Sequence, residues 1–248
     1  MLRTILAVLY VVLFLILGLI SGACFWLIGK FDPALADRLY MKRVRLGFRI
    51  ITFIAGVRLT VEGKENLIPD KAVLYAANHR SYFDVILSYP LFPAVTGYVA
   101  KIEFLKIPLL NFWMKKIHCI FLNRSNLRES LRTIKKGIED IKNGISLCIF
   151  PEGTRTKTDD QLDMLPFKEG SMSLAEKSGC PVIPMAILNA RDVWEKQFPR
   201  IKRVNVYIRF GKPIDLSKLP KEQRKASGAY VRNIIHDMLV DMQNTCGK

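Results

Sequence analysis

With 248 residues, half of them hydrophobic, and a positive mean hydropathy, the chain can hold one α/β domain with a substantial core plus an appendage. Its 38 Lys and Arg exceed its 22 Asp and Glu to leave a formal charge of +16, which suits an anionic partner: a phosphorylated substrate, an anionic membrane face or nucleic acid. Nucleic acid is disfavoured, because a long apolar segment is present and no recognisable binding motif accompanies it.

That segment comes first. From Thr4 to Gly29 (TILAVLYVVLFLILGLISGACFWLIG) there is no charge, with Arg3 and Lys30 at its ends. As a helix it is roughly 39 Å long, enough to cross a bilayer core of about 30 Å with tilt. A secretory signal peptide, the alternative that Ser21–Ala23 keeps open, has a shorter apolar region of about 7–15 residues. The following flank carries Lys30, Arg38, Lys42, Arg43, Arg45 and Arg49 against Asp32 and Asp37. By the positive-inside rule it and all that follows stay on the cytoplasmic side of the inner membrane. Residues 34–59 mix these cations with LGFRIITFIAG, an amphipathic stretch suited to a membrane surface. One clean span and two juxtaposed membrane-associated helices both fit. The organisation is thus an anchor helix over 1–30, a basic amphipathic membrane-associated helix over 31–59 and an α/β domain over 60–248.

Within that domain short apolar runs alternate with helix-period segments. Strands are predicted at VRLTVEG (57–63), AVLYAA (72–77), TGYVA (96–100), HCIFLN (118–123), SLCIF (146–150), PVIPMAI (181–187) and VNVYIRFG (204–211). Helices are predicted from a cap at Ser125 or Asn126 to a stop at Gly144, over EGSMSLAEKSG to Gly179, and as one closing helix over KEQRKASGAYVRNIIHDMLVDMQN. This alternation argues an α/β layer structure around a largely buried sheet. Five cysteines with no CxxC pair, three of them (Cys119, Cys148, Cys180) in or beside strand-like runs, read as small buried hydrophobes of a reducing compartment. His118 and Cys119, adjacent on a predicted strand, point to opposite faces and form no dyad. Asp159, Asp160 and Asp163 have no His or Glu at ligand spacing, so they read as a solvated loop and no metal is expected.

In open α/β sheets ligands bind beyond the carboxyl ends of the strands, and three polar clusters fall there. NHRSYFD (78–84) follows Ala77, PEGTR (151–155) follows Phe150, and NRS (123–125) follows HCIFL. Five residues apart, His79 and Asp84 are poorly placed for contact on a continuous helix. They meet if His79 lies in the turn and Asp84 in the first helical turn. Ser81-x-x-Asp84 also has the form of a capping box, so Asp84 is read both as a cap and as the carboxylate that orients an imidazole. Arg155, on a loop loosened by Gly153, offers a guanidinium fork for phosphate. Glu152 beside it orients a cation or accepts from a hydroxyl. Arg124 and Lys101, just past two other strands, converge on the same anion or are solvated surface charges.

Taken together, NHRSYFD, FLNR (121–124), FPEGTR (150–155) and PVIP (181–184), with AKIEF (100–104), resemble in type and order the blocks of glycerolipid acyltransferases of the 1-acylglycerol-3-phosphate acyltransferase type. The resemblance spans roughly residues 60–215. It implies a mixed sheet flanked by helices and a catalytic domain at 60–248, while the N-terminal membrane-associated helical segment rests on the hydropathy and charge read above. His79 is then the general base and Asp84 its orienter. Arg124, Glu152, Gly153 and Arg155 bind the acceptor, Lys101 assists with its phosphate, and Pro184 is structural or packs the acyl chain. The implied reaction moves an acyl chain from acyl-CoA or acyl-carrier protein, as co-substrate, to the sn-2 hydroxyl of lysophosphatidic acid in the membrane, giving phosphatidic acid without a cofactor. Glycerol 3-phosphate and other lysophospholipids are the rival acceptors, and a non-catalytic adaptor for anionic lipid is the rival class. FLKIPLLNFWMKK (104–116) is read as the wall of an acyl path or as an ordinary buried helix.

Overall fold

All seven apolar runs become strands in the computed structural model, which describes residues 1–246: β1 (Arg58–Glu62), β2 (Leu74–Ala77), β3 (Thr96–Lys101), β4 (Ile120–Leu122), β5 (Ser146–Ile149), β6 (Val182–Leu188) and β7 (Asn205–Phe210). The helices are α1 (Leu2–Ile28), α2 (Pro33–Ala55), α3 (Phe83–Ser88), α4 (Leu110–Lys116), α5 (Leu127–Lys142), α6 (Ser173–Ser178), α7 (Lys221–Lys225) and α8 (Ser227–Cys246). The strands form one sheet in the order β1-β7-β6-β2-β5-β3-β4. The run from β6 to β4 is parallel throughout, β7 is antiparallel to β6, and β1 is parallel to β7. Every residue of β2, β5 and β6 is buried, which is why these strands read as unbroken apolar runs.

The pleat divides the core in two. Tyr75, Ala77, Tyr98, Cys148 and Phe150 point to the face covered by α1, α2, α3 and α4. Leu74, Ala76, Leu147, Ile149 and Val182 point to the face covered by α5, α6 and α8. The crossovers after β2 and β5, adjacent in the sheet, leave toward opposite sides, β2 leading to β3 and β5 to β6. A crevice therefore opens between them at the carboxyl edge.

Two predicted elements differ. The closing helix is broken at Ala226, because the Glu169 carboxylate accepts from the N–H groups of Gly228 (2.7 Å) and Ala229 (3.2 Å) and so starts a second helix there. His118 is in no strand. It adopts φ 58° in the turn before β4, with Nε2 3.0 Å from the Asp37 carboxylate but not aligned as a hydrogen bond. The predicted cap of α5 is realised by Asn126, which accepts from the Glu129 N–H at 3.2 Å.

The first two helices form an antiparallel hairpin along the sheet. At one end the Arg3 guanidinium reaches the Ala55 carbonyl (3.5 Å), and further along Tyr40 donates to the Gly22 carbonyl (2.9 Å). Thr4 Oγ1 donates to Pro199 O and accepts from Ile201 N–H, both at 3.0 Å, tying the start of α1 to the carboxyl edge. Gly18 and Gly22 let α1 settle on α4, since a Cβ there would lie 2.6 Å from the Trp113 ring and 2.8 Å from Phe112. The FLKIPLLNFWMKK stretch is thus the seat of α1. The other side of α1 remains bare, with Ile5, Val8, Leu9, Ile16 and Ile20 each more than half exposed. It is the one helix among the described residues long and apolar enough to cross a membrane.

Candidate active site

Strand β2 ends in an asparagine that staples the sheet. Asn78 donates from Nδ2 to Ile187 O (2.9 Å) and accepts at Oδ1 from Ile187 N–H (2.8 Å), continuing the pairing with β6 after the backbone has turned away. The next residue, His79, is thereby delivered to the crevice. Its backbone is held on both sides by the loop after β5: its N–H donates to Glu152 Oε1 (2.7 Å) and its carbonyl accepts from Thr156 N–H (2.8 Å). The imidazole stacks on Phe150, centroids 4.1 Å apart and planes 16° apart.

His79 Nδ1 lies 2.8 Å from Asp84 Oδ2. A carboxylate offers only acceptors, so Nδ1 carries the proton and the lone pair of Nε2 faces outward. That nitrogen makes no hydrogen bond with the protein and is not sealed from solvent. The same Asp84 oxygen accepts from the N–H groups of Arg80 (2.7 Å) and Ser81 (2.8 Å), while Ser81 Oγ accepts from Phe83 N–H (2.9 Å). Asp84 is thus cap and orienter at once. The cap differs from the predicted box in one bond, Ser81 Oγ reaching Phe83 rather than Asp84. Asp84 itself is 1% exposed, so the imidazole and the two backbone donors together compensate its burial.

Glu152 departs from the expectation. Its carboxylate turns inward and is 4% exposed, with Oε1 taken by His79 N–H and Oε2 by Leu165 N–H (2.9 Å) and the Thr156 hydroxyl. Burial raises its pKa, against the opposing pull of those hydrogen bonds. It ties three chain segments together, and no oxygen is left over for an acceptor. Gly153 is needed for the turn, with φ 77° and its N–H on Phe150 O at 2.9 Å; a Cβ there would come within 3.1 Å of the Arg124 guanidinium. Arg124 therefore reaches over the PEGTR loop. Lys101 ends β3 in register with Leu122, exposed at the same edge. Pro184 lies inside β6 opposite Ala76, a position in the sheet.

Arg155 lies at the mouth, its guanidinium 3.8 Å over the Tyr82 ring and 3.2 Å from Glu195 Oε1. Glu195 escaped the sequence reading, lying outside any motif in the connection after β6. It also accepts from the Ser81 hydroxyl and the Tyr82 N–H, each at 2.7 Å. Arg80 escaped it too: buried to 3%, it donates to the carbonyls of Thr158 and Asp163 and braces the loop beyond PEGTR. Two of the aspartates of that loop are engaged, Asp159 with Arg191 (2.8 Å) and Asp160 with Leu162 N–H (2.9 Å). The loops after the adjacent strands β2 and β5 thus supply one crevice with a free imidazole nitrogen, a buried carboxylate that holds the imidazole and a guanidinium fork, and the connection after β6 adds Glu195. Such a crevice can deprotonate a hydroxyl beside a bound anion.

The acyltransferase family model matches residues 58–188, more than half of the chain and all of the crevice's parts except Glu195. The chain belongs to this acyltransferase family. Among individual relatives, the 1-acyl-sn-glycerol-3-phosphate acyltransferase of Saccharomyces cerevisiae is 31% identical over 199 residues, 80% of this chain and 65% of that protein. The enzyme of that name from Borreliella burgdorferi is 29% identical over 208 residues, 84% of this chain and 80% of its own. The crystal structure of the 1-acyl-sn-glycerophosphate (LPA) acyltransferase PlsC from Thermotoga maritima superposes with a TM-score of 0.77 at 25% identity, covering 97% of this chain and 98% of that one. That likeness includes the N-terminal hairpin.

Proposed function

We propose that the protein transfers an acyl chain from a thioester to the sn-2 hydroxyl of 1-acyl-glycerol-3-phosphate, forming phosphatidic acid, with His79 as general base. The observation that carries the mechanism is the pairing of His79 Nδ1 with buried Asp84 while Nε2 remains free. The names borne by its relatives support the choice of substrate.

Nε2 takes the proton of the acceptor hydroxyl as its oxygen attacks the thioester carbonyl carbon. Collapse of the tetrahedral intermediate breaks the C–S bond, and the imidazolium returns the proton to the departing sulfur. Ester and free thiol are the products. Asp84 stabilises the transient imidazolium, a contribution within the roughly 10²–10⁴-fold of positioned base catalysis. The thioester is already activated, so the step calls for no resident cofactor. Arg155 holds the acceptor's phosphate, assisted by Arg124 and Lys101 from the neighbouring strands.

The acceptor's tail comes from the membrane. The hairpin is secured to the domain through Thr4 at the start of α1 and through Gly18 and Gly22 seated on α4, and α2 carries five cations between Arg38 and Arg49. A perpendicular span would draw those cations into hydrocarbon at a cost of about 2.5–3.5 kcal/mol each near its centre. The hairpin is therefore read as lying in the interface on the cytoplasmic side, with the bare side of α1 in the acyl region and the cations at headgroup level.

The test is purified protein in detergent micelles, supplied with an acyl thioester and, separately, with lysophosphatidic acid, glycerol 3-phosphate and lysophosphatidylcholine. Phosphatidic acid should form from the first acceptor. Faster acylation of either other acceptor would replace the substrate assignment.

A further inference from the structure

Helix α5 starts at the carboxyl edge of the sheet, directly after Arg124, whose guanidinium overlies Gly153 of the loop that holds His79. Two large apolar side chains stand out from its first two turns: Leu127 is 76% exposed and Leu131 60%. Four residues apart on a helix, they form one ridge. Arg128, Arg132 and Lys135 are exposed around that ridge over about 10 Å of helix. The acid in this stretch, Glu129, is turned back to the preceding loop, where Oε2 accepts from Asn123 (2.7 Å) and Oε1 from Asn126 (3.1 Å). Ile134, Ile138 and Ile141 continue the same stripe further along α5 and pack into the core, so Leu127 and Leu131 are the exposed end of that stripe. The ridge is extra apolar surface that the fold does not use.

We propose that this face of α5 docks the acyl donor as a thioester on a small acidic carrier protein, two leucines meeting an apolar patch and the cations an acidic helix. The proposal rests on the function proposed above and commits it to one donor. Its position argues against a lipid occupant, because α5 covers the face of the sheet opposite α1 and α2, whose bare side is the membrane surface. Donor and acceptor then enter the crevice from opposite sides. The nucleotide of acyl-CoA fits less well, since its phosphates call for converging cations, whereas these are strung along a helix beside an apolar ridge.

The experiment compares the detergent-solubilised wild type with Arg128→Glu/Arg132→Glu and Leu127→Ser/Leu131→Ser. Palmitoyl-acyl carrier protein and palmitoyl-CoA are the donors, lysophosphatidic acid is the acceptor, and direct binding of the carrier protein is titrated in parallel. Both double variants should weaken carrier binding and raise its KM by about tenfold or more, the range of electrostatic effects at an interface rim. Added salt should act on the wild type in the same direction. KM for palmitoyl-CoA and for the acceptor, and thermal unfolding, should remain as in the wild type. Unchanged carrier binding in both variants overturns the proposal, as does an equal loss with both donors, which would assign the cations to nucleotide phosphates. A rise in acceptor KM together with lost vesicle binding would assign the ridge to the membrane and also overturn it. Turnover with palmitoyl-CoA alone, and no carrier binding by the wild type, would reject this docking face while leaving the acyltransferase reading intact; carrier binding without turnover from either donor would do the reverse.

Discussion

Arg155 and Glu195 meet at 3.2 Å across the mouth of the crevice, although they come from loops after different strands. The carboxylate aims the guanidinium, and the Tyr82 ring beneath fixes its plane. Under the proposed function, the acceptor's phosphate shares the fork with Glu195. Arg155→Lys keeps the charge and loses the fork, so KM for lysophosphatidic acid should rise about tenfold while kcat changes little. Steady-state kinetics with both substrates varied checks this, and an effect confined to the donor's KM would place Arg155 elsewhere.

Removing Glu195 should act differently. Glu195→Ala leaves the buried Ser81 hydroxyl and the Tyr82 N–H without their acceptor. An expected loss of about 1–3 kcal/mol in stability follows, read by thermal or denaturant unfolding in detergent.

Glu152 makes the stability of the domain depend on pH. Burial raises its pKa above the ordinary 4.5, so the folded protein holds this proton more firmly than the unfolded chain. Its contribution is fully present below about pH 4.5 and is lost as pH rises through the raised value. Glu152→Gln cannot titrate, so the stability of the wild type relative to this variant should decline from about pH 4.5 upward and then level off. Melting temperatures of both proteins across that range provide the check. A constant difference would show that the carboxyl is not displaced.

The hairpin's seat is equally open to test. A branched side chain at Gly18 meets the Trp113 ring, already 2.6 Å from an ideal Cβ. Gly18→Val should cost about 1–3 kcal/mol by overpacking. Because α1 is tied to the carboxyl edge through Thr4, activity on vesicle-embedded lysophosphatidic acid should fall with it. Unchanged melting and activity would mean that α1 is not seated on α4.

The strands and the polar loops after β2 and β5 were legible because a sheet buried on both faces writes itself as continuous apolar runs, with polar residues beginning where the strands end. The strand order was not, since it depends on crossovers that no local pattern records. The meeting of His79 with Asp84 was legible in the cap chemistry of Ser81-x-x-Asp84, a local signal, whereas their spacing alone argued against it. Glu195 was missed because its partners lie 40 residues or more away in the chain and nothing beside it marks it as special. The inward turn of Glu152 was not legible: its neighbours in sequence suggest a ligand site, whereas its hydrogen bonds run to His79, Leu165 and the Thr156 hydroxyl. The break at Ala226 has the same origin, a cap supplied by Glu169 from a distant loop.

The most direct measurement concerns His79 and Asp84. Asp84 Oδ2 alone receives the imidazole and both backbone donors, so an asparagine carbonyl can keep the cap while removing the charge. The kcat and melting temperature of His79→Ala and Asp84→Asn should be determined in one detergent with lysophosphatidic acid as acceptor. The expected result is a fall in kcat of at least about 10²-fold for both variants, with Asp84→Asn losing about 1 kcal/mol or less in stability. A fully active His79→Ala, or an Asp84→Asn with near-normal kcat, would contradict general-base catalysis by this pair.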